Sequence, residues 1–192
     1  LYETAMGLAG KRALDLPEAR KEALLEKFLR KAARTGVTSV HDMLPLPGMV
    51  CSDPLLYAAC EARGDLSVRI FLEGDLAAGL NDAAALRDRY RSGLLSFSGL
   101  KQFVDGVATT YTAFLVEPYT DRPESRGSTL IPPETLARWV DEADAAGFRV
   151  RLHACGDGAV RLAPDCYEKA ALKNGRRDSR HTIEHIETIH PA

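Results

Sequence analysis

The sequence predicts an α/β chain in which parallel strands are covered by helices. Two observations carry this: short β-branched or apolar segments alternate five times with helical segments, and the repeat is roughly 30 residues, the size of a βαβ unit. Alternation of this kind builds either an open doubly wound sheet or a barrel, and periodicity alone does not choose between them.

From about Pro17 to Thr35, Leu25, Phe28, Leu29 and Ala32 recur at helical spacing among Glu, Lys and Arg, which predicts an amphipathic helix. Pro17 suits its first turn and Gly36 its stop, after which Val37-Thr38-Ser39-Val40 has strand chemistry. A helix over about Pro54 to Arg63 leads into the strand Val68 to Leu72, and one over about Asp82 to Arg91 leads into Leu100 to Val104. The helix from about Pro133 to Ala146, stopped by Gly147, precedes Val150 to His153; the last, about Gly158 to Leu172, precedes Thr182 to His185. Between about Val107 and Ile131 an excursion with Pro118, Pro123, Arg126 and Gly127 follows a strand's carboxyl end, where parallel α/β folds bind ligands. A connection of that length is functional more often than accidental.

Composition narrows the function classes. The chain has 192 residues, 45% of them hydrophobic, and 25 Lys plus Arg against 27 Asp plus Glu give a formal charge of −2. That is enough chain for one core, and the balanced, scattered charge lacks the basic footprint of a nucleic-acid binder. No apolar run approaches the roughly 18 residues needed to span a bilayer, and Leu1-Tyr2-Glu3 does not begin a signal peptide. Cys51, Cys60, Cys155 and Cys166 form no CxxC pair and read as thiols in a reducing, cytoplasmic setting.

The polar residues at three strand ends are the informative feature. By the period of two, Lys101, Phe103 and Asp105 share one face, as do Arg151, His153 and Cys155, and as do His181, Ile183 and His185. A lysine and two histidines can therefore converge at one rim. Singly each has a plain reading: a strand histidine as a hydrogen-bonded core residue, Lys101 as a snorkelling surface lysine, Asp157 as a helix N-cap, Glu184 as a partner of Arg180. The coincidence in successive βα units favours a site.

Gly36-Val37-Thr38-Ser39-Val40-His41-Asp42, Lys101-Gln102-Phe103-Val104-Asp105-Gly106, His153-Ala154-Cys155-Gly156-Asp157-Gly158-Ala159 and Arg180-His181-Thr182-Ile183-Glu184-His185 occur in this order. Together they resemble consecutive motifs of the metal-dependent amidohydrolase superfamily, and most nearly its amidohydrolase-3 or YtcJ-like branch, with AepA-like and N-substituted formamide deformylase-like members. The resemblance covers about Gly36 to His185. It implies a (β/α)8 TIM barrel, of which this chain would hold about strands 2 to 6, with one or two divalent metals, usually zinc, at the carboxyl rim.

In that family a lysine closing the fourth strand can be carboxylated and bridge two metals, which maps to Lys101, and histidines ending the next two strands are ligands, which maps to His153 and His185. The resemblance further implies hydrolysis of a non-peptide C–N bond, amide-type, in a small molecule by metal-activated water. Lys101, Asp105 and Asp157 are then the expected catalytic positions, with Glu184, Arg180 and His181 behind the ligands. Tyr111 and Tyr119, in the excursion, are expected to face substrate. The family's first-strand His-x-His pair and its last-strand aspartate have no counterpart, since His41 stands alone. The chain is thus expected to be an internal fragment, inactive by itself, whose open sheet edges favour homo-oligomers. The alternative is a complete small α/β module that binds an anionic ligand on the Lys101, His153 and His185 rim without chemistry.

Overall fold

A computed structural model describes residues 15–43 and 53–191, together with Gly10 and Ala13, so Cys51 lies outside the described residues. In chain order the elements are α1 (Glu18–Arg34), β1 (Ser39–Met43), α2 (Pro54–Ala62), β2 (Arg69–Asp75), α3 (Leu80–Arg89), β3 (Leu95–Phe103), α4 (Pro133–Ala145), β4 (Val150–Ala154), α5 (Asp157–Asn174) and β5 (Thr182–His185). The strands stand in the order β1-β2-β3-β4-β5, and β1 with β2, β3 with β4 and β4 with β5 pair in parallel. Strand order that follows chain order, with no reversal, is the topology of a barrel and not of a doubly wound sheet. The fold is an α/β partial barrel. Among the described residues no helix is long and apolar enough to cross a membrane.

The chain divides into two compact units, one running to Asp75 and resuming over Asn81–Ser98, the other made of Leu76–Leu80 and Gly99 onward. In the first, α1 buries Leu25, Leu29 and Ala32 against Cys60 of α2 and Val68, Ile70 and Leu72 around β2. Phe28, expected on the same stripe, is left 42% exposed, so the buried stripe is narrower than the apolar one. Glu18 in the first turn and Lys31 and Arg34 in the last complement the helix dipole. The N–H of Val37 donates to the carbonyl of Ala32 at 2.9 Å, with Gly36 at φ +74°, so Val37 belongs to the helix stop and β1 starts later than its β-branched run suggests. Asp53 caps α2 by accepting from the N–H of Leu56 at 3.2 Å.

In the second unit α4 buries Leu136, Val140 and Ala143, and α5 buries Ala159, Ala163, Cys166 and Ala170, small residues that let the two helices approach each other and the sheet. Val150 and Leu152 of β4 are fully buried. β3 begins at Leu95, well before the expected Leu100, because Gly99 continues the strand: a Cβ there would stand 2.7 Å from the carbonyl oxygen of Arg149, a place open only to glycine. Cys60, Cys155 and Cys166 are buried free thiols.

Candidate metal centre

The site face follows from the register of β3, β4 and β5. Lys101 stands level with Arg151 and Arg151 with Thr182; Phe103 stands level with His153 and His153 with Glu184. Partners in a parallel register share a face, so Lys101, Arg151, His153 and Glu184 point the same way. The contacts agree. Lys101 Nζ, with its side chain 4% exposed, donates to Glu184 Oε2 at 2.6 Å, and Arg151 donates to Glu184 Oε1 at 2.9 Å. The ammonium of Lys101 also lies 4.9 Å from the centre of the Phe103 ring, which packs 4.8 Å from the His153 ring.

This places Glu184 on the face where counting from the sequence put His185. By register His185 is opposite Ala154, on the other side of the sheet. It reaches the site by leaving the strand conformation: His185 has φ +78° and Ile186 φ +52°, and the imidazole turns edge-on to His153 with ring centroids 4.5 Å apart. Positive φ at two non-glycine residues, one of them β-branched, costs about 1–3 kcal/mol each and persists only where the surroundings impose it. The N–H of Ile186 donates to the Ala154 carbonyl, and Thr188 donates to the Cys155 carbonyl through its N–H and its hydroxyl. These bonds hold the turn.

Asp105 and Asp157, expected to be catalytic, are anchors of the excursion. Asp105 is 0% exposed and accepts from the N–H groups of Phe114 (2.8 Å), Cys155 (3.0 Å) and Gly156 (2.8 Å). Asp157, the first residue of α5, accepts from the N–H of Val116 at 2.9 Å. The carbonyl of Phe114 in turn receives the N–H groups of Gly158 and Ala159 at the start of α5. The excursion is thereby fixed against the strand ends and the turn that follows His153. A Cβ on Gly156 would meet the Phe114 carbonyl oxygen at 2.1 Å, so Gly156→Ala must displace backbone. The expected cost is about 3 kcal/mol in a urea melt, at the upper end for overpacking.

The two tyrosines expected at the substrate complete this loop. Tyr119 is 8% exposed and its hydroxyl donates to the Ala113 carbonyl at 2.8 Å; Tyr111 donates to Asp121 at 2.8 Å and packs edge-on against Tyr119, with the Arg122 guanidinium over its ring. Both hydroxyls are thus engaged within the excursion.

His181 and Arg180 do not join the rim. His181 Nδ1 accepts from the N–H of Val150, the first residue of β4, so its proton is on Nε2, which donates to Asp144 at 3.1 Å. It therefore sits at the amino edge of the sheet, stacked on Tyr167. Arg180, at φ +50°, pairs with Asp178 and not with Glu184.

The ionisation state of His153 suits metal binding. His153 Nε2 lies 2.9 Å from the carbonyl of Gly106, which can only accept, so Nε2 carries the proton and Nδ1 the lone pair. Burial holds this imidazole below its ordinary pKa, opposed by the Gly106 bond and helped by the neighbouring His185 and Lys101, so it is neutral at pH 7. A histidine whose N–H is fixed on a carbonyl, with its other nitrogen bare, is the arrangement of a metal ligand. Burial raises the Glu184 carboxyl, but the hydrogen bond and charge of Lys101, and those of Arg151, outweigh it and hold Glu184 below the usual range. Asp105, His153 and Cys155 also bring donor atoms within 4.8 Å of one another. That trio is the poorer site. The Asp105 oxygens already hold three N–H groups, and burial, with Glu187 and Asp105 nearby, pushes the Cys155 thiol up to about 12, so a metal there would have to displace a tightly held proton.

In the first unit His41 Nδ1 stands 2.9 Å from Oε1 of Glu73, which is 1% exposed. Sequence reasoning put Arg151 on the His153 face without a role and Glu184 behind the ligands; it missed that the two are partners and that Glu184 stands on the site face. The signal that finds them is the register between β4 and β5, which a single strand does not carry.

A model described as the amidohydrolase family matches residues 1–192. The chain is 31% identical over 182 residues to the Arabidopsis thaliana protein LONG AFTER FAR-RED 3, covering 91% of this chain and 31% of that protein. It is 39% identical over 84 residues to YtcJ of Bacillus subtilis (strain 168), provisionally named an amidohydrolase, covering 44% of this chain and 16% of YtcJ. Crystal structures of uncharacterized metal-dependent hydrolases from Pyrococcus horikoshii OT3 and Pyrococcus furiosus superpose with TM-scores of 0.72 and 0.71 at 24% identity, over 92% of this chain and 34% and 36% of theirs. These two share the fold. The chain thus spans about a third or less of each protein it matches.

Proposed function

The chain belongs to the amidohydrolase family, and from that premise we propose that it supplies part of the active site of a metal-dependent hydrolase acting on a non-peptide, amide-type C–N bond of a small molecule. The protein is proposed to be cytoplasmic, which the buried free thiols of Cys60, Cys155 and Cys166 support. His153 and His185 would hold the metal, proposed to be zinc, with Lys101 as the third group once it has lost its proton. When bound, such a metal polarises the scissile carbonyl and acidifies a water.

The observation that carries this reading is the His153–His185 pair, two imidazoles edge-on at 4.5 Å, one of them neutral with its N–H fixed on Gly106. The chain's own residues do the rest by placement. Glu184 holds Lys101, and Asp105 and Asp157 hold the excursion beside His153. Neither aspartate is assigned proton transfer here, since Asp105 spends both oxygens on backbone N–H groups.

The test is zinc affinity by competition with a chromophoric chelator, together with amidase activity, in the intact protein. His153→Ala and His185→Ala are each expected to weaken zinc binding by more than about 100-fold, beyond what loss of an outer partner produces. Unchanged zinc affinity in both variants would overturn the assignment.

A further inference from the structure

We propose that Arg151 is a positioning residue of this centre: by holding one oxygen of Glu184 it fixes the carboxylate whose other oxygen holds Lys101, and so sets where the lysine Nζ stands. The inference rests on the reading of Lys101 as a ligand position. It is carried by the division of the Glu184 carboxylate, Oε2 to Lys101 at 2.6 Å and Oε1 to Arg151 at 2.9 Å.

The geometry joins three strands. Lys101 of β3 and Arg151 of β4 stand level, and Glu184 of β5 stands two residues further along, level with His153. Lys101 therefore reaches past β4 to find its partner. A carboxylate held at one oxygen can swing about its side-chain torsions; held at both oxygens by cations from two strands, it has one orientation. Lysine is a compact charge on a flexible stem and cannot impose that orientation itself. Arg151 can. Its side chain is 13% exposed, its guanidinium is a rigid fork, and it stays charged at every accessible pH, so its hold on Glu184 does not depend on what Lys101 binds. Nothing in the family motifs quoted above singled out this arginine.

The experiment has two arms on the intact protein. The first is a crystal structure of Arg151→Met without added metal, in which the Lys101–Glu184 contact is expected to open beyond hydrogen-bonding distance. The second is a zinc titration of Arg151→Met, Glu184→Gln and the double variant. Each single variant is expected to weaken zinc binding about tenfold or more, and the double no more than Glu184→Gln alone, because Arg151 acts through that carboxylate. A Lys101–Glu184 pair still in place in Arg151→Met, or losses that add in the double variant, overturns the proposal. If the parent takes no zinc, the metal reading fails while the crystallographic arm still decides the positioning role. Should Arg151→Met not fold, Arg151→Lys replaces it: a compact ammonium on a flexible stem, in place of the planar guanidinium, is expected to let Glu184 tilt and to lower zinc affinity about threefold. An unchanged contact and unchanged affinity in that variant overturn the proposal equally.

Discussion

Asp105→Ala is expected to cost about 4–6 kcal/mol and to unfold much of the second unit at room temperature. The carboxylate is fully buried and receives the N–H groups of Phe114, Cys155 and Gly156. Hydrogen bonds to a charged acceptor contribute about 1.5–3 kcal/mol each, and a buried donor left without a partner costs about 1–3 kcal/mol. Three such losses at one point rival the roughly 5–15 kcal/mol by which a typical domain is stable. Each of the three donors belongs to a segment bordering His153, so the loss also loosens the proposed ligand.

The comparison that isolates this effect is Asp105→Asn, which keeps the shape and one accepting oxygen but turns an amide donor toward at least one backbone N–H. It should fall between the parent and Asp105→Ala, at about 2–3 kcal/mol. Asp157→Ala, which releases only the N–H of Val116, should cost about 1 kcal/mol. Urea melts of the variants check the order. An Asp105→Ala protein within 1 kcal/mol of the parent would refute the account of the excursion as a fixed wall.

The alternation of strand and helix was readable because it is a local property: the apolar period of α1, the Gly36 stop and the β-branched run after it each act over a few residues. What was not readable is relational. Parity within β5 predicts His185 on the rim, and the structure brings it there, but by a positive-φ turn, while the register gives the face itself to Glu184. No count along one strand contains its offset from the next. Asp105 illustrates the same limit. In the sequence it stands four residues after Lys101 and invites a chemical role, whereas its three partners come from positions nine, fifty and fifty-one residues away. His181 was equally ambiguous, because its role is decided by Asp144 and by the N–H of Val150, neither of which is near it in the chain.

His181 and Asp144 make the second unit acid-sensitive at the end of the sheet opposite the proposed metal. Burial lowers the His181 pKa from its ordinary 6.5, against the opposing hydrogen bond and charge of Asp144 and with help from Arg177 and Arg149. Burial raises the Asp144 carboxyl, but the Asn174 amide, the Arg177 guanidinium and His181 outweigh it and hold the carboxyl below its ordinary 3.8. Both shifts have the same consequence. The unfolded chain takes up the His181 proton first, so stability present above pH 6.5 declines as pH falls through that value, and a second decline follows below 3.8 as Asp144 is titrated. The mechanism of the first step is steric as well as electrostatic, since a proton on Nδ1 would face the N–H of Val150. Asp144→Ala removes the acceptor for Arg177, Asn174 and His181 at once, leaving the Arg177 charge partly buried without it. Its expected cost at pH 7 is about 3–5 kcal/mol, the range for breaking a buried pair from one side. The variant should also lose the Asp144 share of the decline below pH 3.8, leaving the shares of Glu184 and Asp178, whose carboxyls are held down as well. Equilibrium urea melts of parent and variant from pH 3 to pH 8 measure both effects, and a parent whose stability is flat between pH 7 and pH 5 would contradict the proton placement on His181.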